Sequence, residues 1–379
     1  MNPTINALFH LIKCALTNDK TPLPSDIDWL DLYHIAQTHK VTPLVYYGIK
    51  NLGILLEADV NQKFKEAVFK YALLDTEREY EIKQILKAFE EAEIDYAPLK
   101  GLVVRDFYPS TEMRTLGDMD ILIREYDIEK ASDILTGLGF VFDMESSHEL
   151  KWRKGQTLIL ELHKKFIGNS IPKFYQHYEN VETFLSKRDG SHKLEMSFCD
   201  LMVFLTVHIA KHYINGGIGL RHFIDLYVLD ILNLNEKENL ITEELSKLGL
   251  DEFYRSIKRM LTCWFENAEY DEISILMTKK IIASGTFGNS NSRFIATSSK
   301  QSKGAILLRS VFLPYREMAK KYPVLNKCPF LLPVFWAVRI INILFTKQSK
   351  MKEFRKQIKT ADTDTINKYN EELKLVGIK

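Results

Sequence analysis

Gly117-Asp118-Met119-Asp120 runs into the apolar stretch Ile121-Leu122-Ile123, so two carboxylates stand two residues apart at the head of a strand. Successive side chains of a strand turn to opposite faces, which puts Asp118 and Asp120 on the same one. Carboxylates held that close repel and raise each other's pKa, and a chain that keeps both usually supplies a cation. Hard oxygen donors suit Mg2+ or Mn2+. A third acid, Glu161, lies inside the strand pattern Ile159-Leu160-Glu161-Leu162-His163, where a charge is costly unless it is paired or bound to metal. The plain alternative is an edge strand with Glu161 and His163 facing water.

Groups suited to phosphate lie close by in sequence. An upstream strand ends in Leu99-Lys100-Gly101, whose glycine permits close backbone approach and whose lysine supplies a point charge. Arg105 and Arg114 follow, and a guanidinium fork matches phosphate oxygens. Three acids, a glycine turn and two arginines together describe a site for metal-assisted phosphoryl chemistry. His208 and His212 stand four apart on a helix, but the glutamate of H-E-x-x-H is missing and no third ligand is evident, so packing is the better reading. No Walker A, G-x-S-x-G or G-x-G-x-x-G motif stands in a suitable strand-helix context.

These residues need strands to hold them. Short apolar runs predict strands over 96–99, 118–123, 140–143 and 157–163, with a helix over 127–138 that stops at Gly139. Before them, helical spacing recurs in Val60, Phe64, Val68, Tyr71 and again in Ile82, Ile85, Leu86, Phe89. After them, Phe198, Leu201, Met202 and Leu205 resume it. The expected class is α+β with an α/β core and a mixed sheet. The expected division is an N-terminal helical region (1–79), a core (80–190) and a C-terminal helical domain (191–379). The Ser-, Gly- and Asn-rich stretch 284–304 predicts a mobile loop.

Composition sets the bounds. With 379 residues, 46% apolar and 27% charged, the chain has the make-up of a folded globular protein of two or three domains. Lys plus Arg is 51 against 50 for Asp plus Glu, so the global charge gives no argument for a nucleic-acid or acidic-membrane partner. Cys14, Cys199, Cys263 and Cys328 are scattered, with no C-x-x-C pair, which fits a reducing cytoplasm. The first residues, through Leu16, read as an amphipathic helix rather than a signal peptide. The most apolar segment, 329–345, is interrupted by Pro333, Arg339 and Asn342. Its length and interruptions favour a buried helix over membrane contact.

The runs LKGLVVRDFYPSTEMRTLGDMDILI, LELHKKF and HIAKHYINGGIGLRHFIDL resemble the uncharacterised bacterial nucleotidyltransferase family, a branch of the DNA polymerase β-type superfamily. The resemblance implies that Asp118 and Asp120 bind catalytic metal and that Glu161 is the third carboxylate. Lys100-Gly101 occupies the place of a Gly-Ser turn in better-known relatives, and Glu replaces the more usual Asp as third acid. The implied activity moves a nucleoside monophosphate from an NTP to a hydroxyl, releasing pyrophosphate. The acceptor is left open among a small metabolite, a sugar, a protein side chain, as in a toxin-like enzyme, and an RNA end. A non-catalytic nucleotide-binding scaffold is the rival from another class. Gly117 and Arg221 complete the expected nucleotide contacts, with Arg221 facing the cleft; the competing reading pairs Arg221 with Asp225 one helical turn on.

Overall fold

The computed structural model describes residues 2–23, 26–231, 237–285, 288, 290–346, 357 and 360–378. The chain opens with α1 (Pro3–Thr17), α2 (Trp29–Thr38) and α3 (Thr42–Asn51). Pro3 enters the first turn of α1, and Asn2 caps it by accepting from the Thr4 amide at 2.8 Å, the usual chemistry of a helix start. The apolar stripe Leu8, Leu11, Ile12 and Ala15 is buried, and α1 packs on α3 closely enough that a Cβ on Gly48 would lie 2.1 Å from the Leu11 carbonyl oxygen.

Next comes α4 (Ala58–Glu91), whose 34 residues make a rod of about 50 Å. Its first half joins the helical layer through Phe64, whereas Ile82, Ile85 and Phe89 pack on the sheet. The division expected at residue 79 therefore falls inside one continuous helix. The N-terminal helices also share a core with the C-terminal ones, where Phe9 stacks on Trp264 with ring centroids 4.3 Å apart.

Five strands form the sheet: β1 (Tyr96–Pro98), β2 (Met119–Ile123), β3 (Val141–Glu145), β4 (Glu149–Lys154) and β5 (Leu158–His163). Their spatial order is β1-β2-β5-β4-β3, parallel only between β2 and β5. Between β1 and β2 lies the short α5 (Gly101–Val104), and between β2 and β3 lies α6 (Ile128–Gly137). Met119, Ile121, Ile123, Leu150, Trp152, Leu160 and Leu162 bury one face against α4 and α6. The pleat then commits the residues between them to the opposite face. Expected and observed strands agree to within two residues at each end, but β4 was not expected at all.

After α7 (Pro172–His177) and the hairpin of β6 (Ser186–Lys187) and β7 (Leu194–Glu195), α8 (Phe198–Ile214) and α9 (Leu220–Ile231) stand over the polar face of the sheet. Between them, Gly216 and Gly217 adopt φ of 110° and 122°; Cβ atoms there would meet the Arg293 amide nitrogen at 2.6 Å and Ser284 Oγ at 2.2 Å. Only glycine fits both the dihedral and the space. Then follow α10 (Glu238–Leu248), α11 (Asp251–Phe265), α12 (Glu272–Ser284), α13 (Ser290–Lys300), α14 (Lys303–Val311), α15 (Tyr315–Lys321) and α16 (Leu332–Thr346). A last helix spans Thr363–Leu375.

Two expectations need correction here. The predicted mobile stretch 284–304 contains α13, which forms because Phe294 and Ala296 find burial that offsets the poor helix propensity of its serines and asparagine; residues 286, 287 and 289 lie outside the described residues. The predicted buried helix at 329–345 is a short turn, Pro329–Leu331, followed by α16, and it is not fully buried: Val334, Val338 and Ile341 of the helix are exposed, as is Phe330 in the turn before it. Among the described residues no helix is long and apolar enough to cross a membrane.

Candidate functional site

Three strands lay the site out in two rows. In the first, Asp120 of β2 is in register with Glu161 of β5, which is in register with Lys151 of β4. In the second, Leu122, His163 and Glu149 line up in the same way. Because β5 is central, Glu161 is 8% exposed and His163 1% exposed. The edge-strand alternative for this pair is therefore excluded by the strand order.

The acids differ in their partners. Asp120 accepts from Lys100 Nζ at 2.7 Å and from His163 Nε2 at 2.9 Å. Burial pushes its carboxyl upward, but Lys100 and His163 outweigh burial and hold it well below the ordinary carboxylate range. Glu161 pairs with Lys151 at 2.6 Å, yet burial and the carboxylates of Asp118, Asp120 and Glu149 leave its pKa raised. Glu149 feels the same burial, and His148, 3.2 Å away, together with His163 brings it down to about 2. Asp118 sits in the turn before β2, half-buried, without a hydrogen-bond or ion-pair partner among the described residues.

Above this floor, α8 and α9 close a cavity of about 330 Å3. Lys100, Gly101, Arg114, Gly117, Asp118, Asp120, Glu161 and Arg221 all line it. Lys100 reaches it from a strained backbone, with φ 49° and ψ −119° immediately before α5. Opposite the acids are His208, Lys211, His212 and His222. The imidazole centroids of His208 and His212 are 4.5 Å apart, and those of His208 and His222 5.6 Å. Burial first, and then Lys211 beside it, push His212 down to about 3, so the ring is neutral. Burial and Lys100 lower the Lys211 ammonium, which has no partner among the described residues.

Three basic residues have commitments that spacing did not reveal. Arg105 donates to Asp75 of α4 at 2.6 Å and lies outside the cavity lining. Arg114 spends its fork on Asp225, with Nε and Nη2 each 2.6 Å from a carboxylate oxygen. Asp225 therefore pairs with Arg114 and not with Arg221, which corrects the intrahelical ion pair. Arg221 instead donates to the Thr115 carbonyl at 2.9 Å, leaves its Nε without a partner, and lies over the acidic turn, 3.5 Å from where a Cβ on Gly117 would stand.

Asp120, Glu161 and His163 present ligand atoms within 4.8 Å of one another, as do His148, Glu149 and His163. Oxygen donors with an imidazole suit a divalent cation such as Mg2+ or Mn2+, and the unpartnered Asp118 carboxylate faces the same cavity. Residues 25–266 match the profile of a family described as uncharacterised nucleotidyltransferase. The chain belongs to that nucleotidyltransferase family. The matched stretch runs from before α2 to the end of α11, so it includes the sheet, its polar face and the α8–α9 wall. No curated protein and no solved structure matches the chain.

Within this nucleotidyltransferase, His148, Glu149, Lys151 and Lys211 reach the cavity without having been singled out from sequence. A signal for the first three was present. In Glu149-Leu150-Lys151-Trp152 the apolar residues alternate with charged ones, the period-two pattern of a half-buried strand.

Proposed function

We propose that the chain transfers a nucleoside monophosphate from an NTP to a hydroxyl acceptor. One observation carries this reading: the in-register pair Asp120 and Glu161, joined by the unpartnered Asp118, floors a cavity whose rim is cationic. Asp120 and Glu161, with His163 adjoining, are grouped closely enough for Mg2+ or Mn2+, and Asp118, lining the same cavity, is the further carboxylate for it. A bound cation of this kind supplies charge neutralisation at the phosphates and lowers the pKa of a bound hydroxyl. Lys100 and Lys151, which neutralise two carboxylates here, are the chain's own groups for phosphate oxygens. Lys211 and Arg221 add positive charge from the helical wall. In the transfer, the acceptor oxygen bonds the α-phosphorus, the bond to the bridging oxygen breaks, and pyrophosphate leaves. The hydroxyl proton passes to a carboxylate of the floor.

Gly101 keeps the backbone open at the cavity edge, where a Cβ would crowd Leu116 at 3.2 Å, whereas a Cβ at Gly117 would only touch Arg221, at 3.5 Å. A scaffold that binds nucleotide without transferring it is the second reading, favoured by the Lys100–Asp120 and Lys151–Glu161 pairs, which balance two acids without a cation. Incubation with each α-labelled NTP, Mg2+ or Mn2+ and a cell extract separates them. Label on a small molecule, sugar, protein or RNA, with pyrophosphate release that Asp118→Asn abolishes, supports transfer. Nucleotide binding with no label moved under any metal overturns it in favour of the scaffold.

A further inference from the structure

Beside the carboxylate floor, a second set of metal-ligating groups meets at the end of β5. Glu149 of β4 and His163 of β5 are a cross-strand pair, and both line the cavity. His148 comes from the turn between β3 and β4, so strand alternation does not dictate where its side chain points. That turn is fastened to the segment after β5, where the amides of Lys164 and Lys165 donate to the His148 carbonyl at 2.8 and 3.3 Å. Glu149 Oε2 then lies 3.2 Å from His148 Nε2 and 3.9 Å from His163 Nε2. Donors bound to one ion at roughly 2.0–2.2 Å stand about 3 to 3.6 Å apart, so small side-chain rotations bring all three onto a metal. Two features hold the His148 imidazole in place. Its ring lies against Gly168, where a Cβ would stand 2.8 Å from Nδ1 and 2.9 Å from Cε1, so glycine alone leaves it room. Ser146 donates its hydroxyl to the Glu149 carbonyl at 3.4 Å, and the same oxygen accepts from His148 Nδ1 at 3.1 Å. That tautomer turns the Nε2 lone pair towards the Glu149 carboxylate, and two acceptors facing each other need a proton or a cation between them.

We propose that His148, Glu149 and His163 bind a divalent transition-metal ion, such as Zn2+, Mn2+ or Co2+, at a site of its own next to the Asp120 and Glu161 carboxylates. Two imidazoles and one carboxylate select such an ion over Mg2+, which prefers oxygen donors alone. Three protein ligands leave coordination positions open to the cavity for water or for an oxygen of a bound molecule. His163 Nε2 serves one partner at a time. It donates to Asp120 at 2.9 Å, and on binding the metal it would leave that carboxylate to Lys100. These donors carry the site whether or not the chain transfers nucleotide.

Co2+ is the probe, because its visible absorption reports the ligands around it. In excess Mg2+, which fills sites made of oxygen alone, the full chain stripped by a chelator should still bind one Co2+. His148→Ala and Glu149→Gln, each checked for an intact thermal transition, should weaken that binding at least about tenfold. Asp118→Asn should leave it unchanged. No Co2+ bound in excess Mg2+ overturns the proposal. Equal Co2+ affinity in the parent and His148→Ala overturns it too, placing the ion on the carboxylate floor and leaving His148 and Glu149 as an ion pair. Co2+ binding that follows these variants, with no labelled nucleotide transferred, upholds the metal site and sinks the transfer reading alone. Transfer in Mg2+ without Co2+ binding does the reverse.

Discussion

Arg114 and Asp225 clasp each other through two hydrogen bonds of 2.6 Å, linking the segment before the acidic turn to helix α9. Both are almost fully buried, and Tyr108 adds its hydroxyl to the same carboxylate at 2.8 Å. Removing one member of such a pair strands a buried charge, which costs about 3–5 kcal/mol. Asp225→Ala and Arg114→Ala should each lower the denaturant midpoint by that order, while Arg114→Met with Asp225→Leu should cost much less than their sum. A loss of nucleotide affinity in Arg114→Ala with unchanged stability would return Arg114 to the role of phosphate ligand.

Asp118 and Asp120 stand two residues apart, but their partners differ, and so should their variants. Asp118→Asn disturbs no hydrogen bond among the described residues, so the thermal midpoint should hold while transfer falls about a thousandfold, roughly 4 kcal/mol in the barrier. Asp120→Asn should lose as much activity and also destabilise by about 1–3 kcal/mol, because Lys100 and His163 lose a charged acceptor. Comparing turnover and melting for the two variants checks both statements. Full activity in either removes the metal assignment.

Glu161→Gln frees Lys151 from its ion pair and relieves the repulsion that Asp118, Asp120 and Glu149 exert on this carboxyl. Little loss of stability is therefore expected, together with a higher Mn2+ concentration for half-maximal rate. A Mn2+ titration with an unchanged midpoint and unchanged rate would show Glu161 to be structural.

Lys100 holds φ at 49° with ψ at −119°, a conformation that side chains resist, while its ammonium reaches Asp120. Lys100→Ala and Lys100→Gly both delete the charge, and both should raise the KM for NTP by the equivalent of about 1–3 kcal/mol. They should differ in stability, with the glycine variant about 1–2 kcal/mol the more stable because it pays no Cβ penalty. Equal melting temperatures would mean that the turn is not strained.

What sequence could reveal followed the range of the interactions. Asp118, Asp120 and Glu161 were legible because a charge ahead of or inside an apolar strand breaks a local pattern. The strand β4 was missed because four of its six residues, Glu149, Lys151, Arg153 and Lys154, are charged, leaving only Leu150 and Trp152 to mark the buried face. Strand register, which sets Glu149 beside His163 and Lys151 beside Glu161, depends on pairing that no window of sequence contains. The same holds for Arg105 with Asp75 and Arg114 with Asp225, separated by 30 and 111 residues. Hydropathy identified 329–345 as apolar but could not say that Val334, Val338 and Ile341 of its helix would be left exposed.

His39 gives a pH dependence whose sign is fixed by geometry. At the end of α2 its Nε2 donates to the Ile282 carbonyl at 3.1 Å and its Nδ1 accepts from the Leu220 amide at 3.3 Å, so the buried ring is neutral and both nitrogens are occupied. Protonating Nδ1 would destroy the bond to Leu220. Burial lowers the pKa to about 4, while the Ile282 bond opposes the shift. Unfolded histidine titrates near 6.5. The unfolded chain therefore binds this proton first as the pH falls, and stability present above about 6.5 is lost progressively down to about 4, by at most about 1.4 kcal/mol per pH unit. The buried rings of His208, His212 and His222, also lowered, add to the loss in the same direction. His39→Asn keeps an acceptor for the Leu220 amide but does not titrate, so its unfolding free energy should fall less steeply than that of the parent between pH 6.5 and 4. Parallel curves for the two proteins in urea titrations across that range would show that His39 is protonated in the folded state as easily as in the unfolded one.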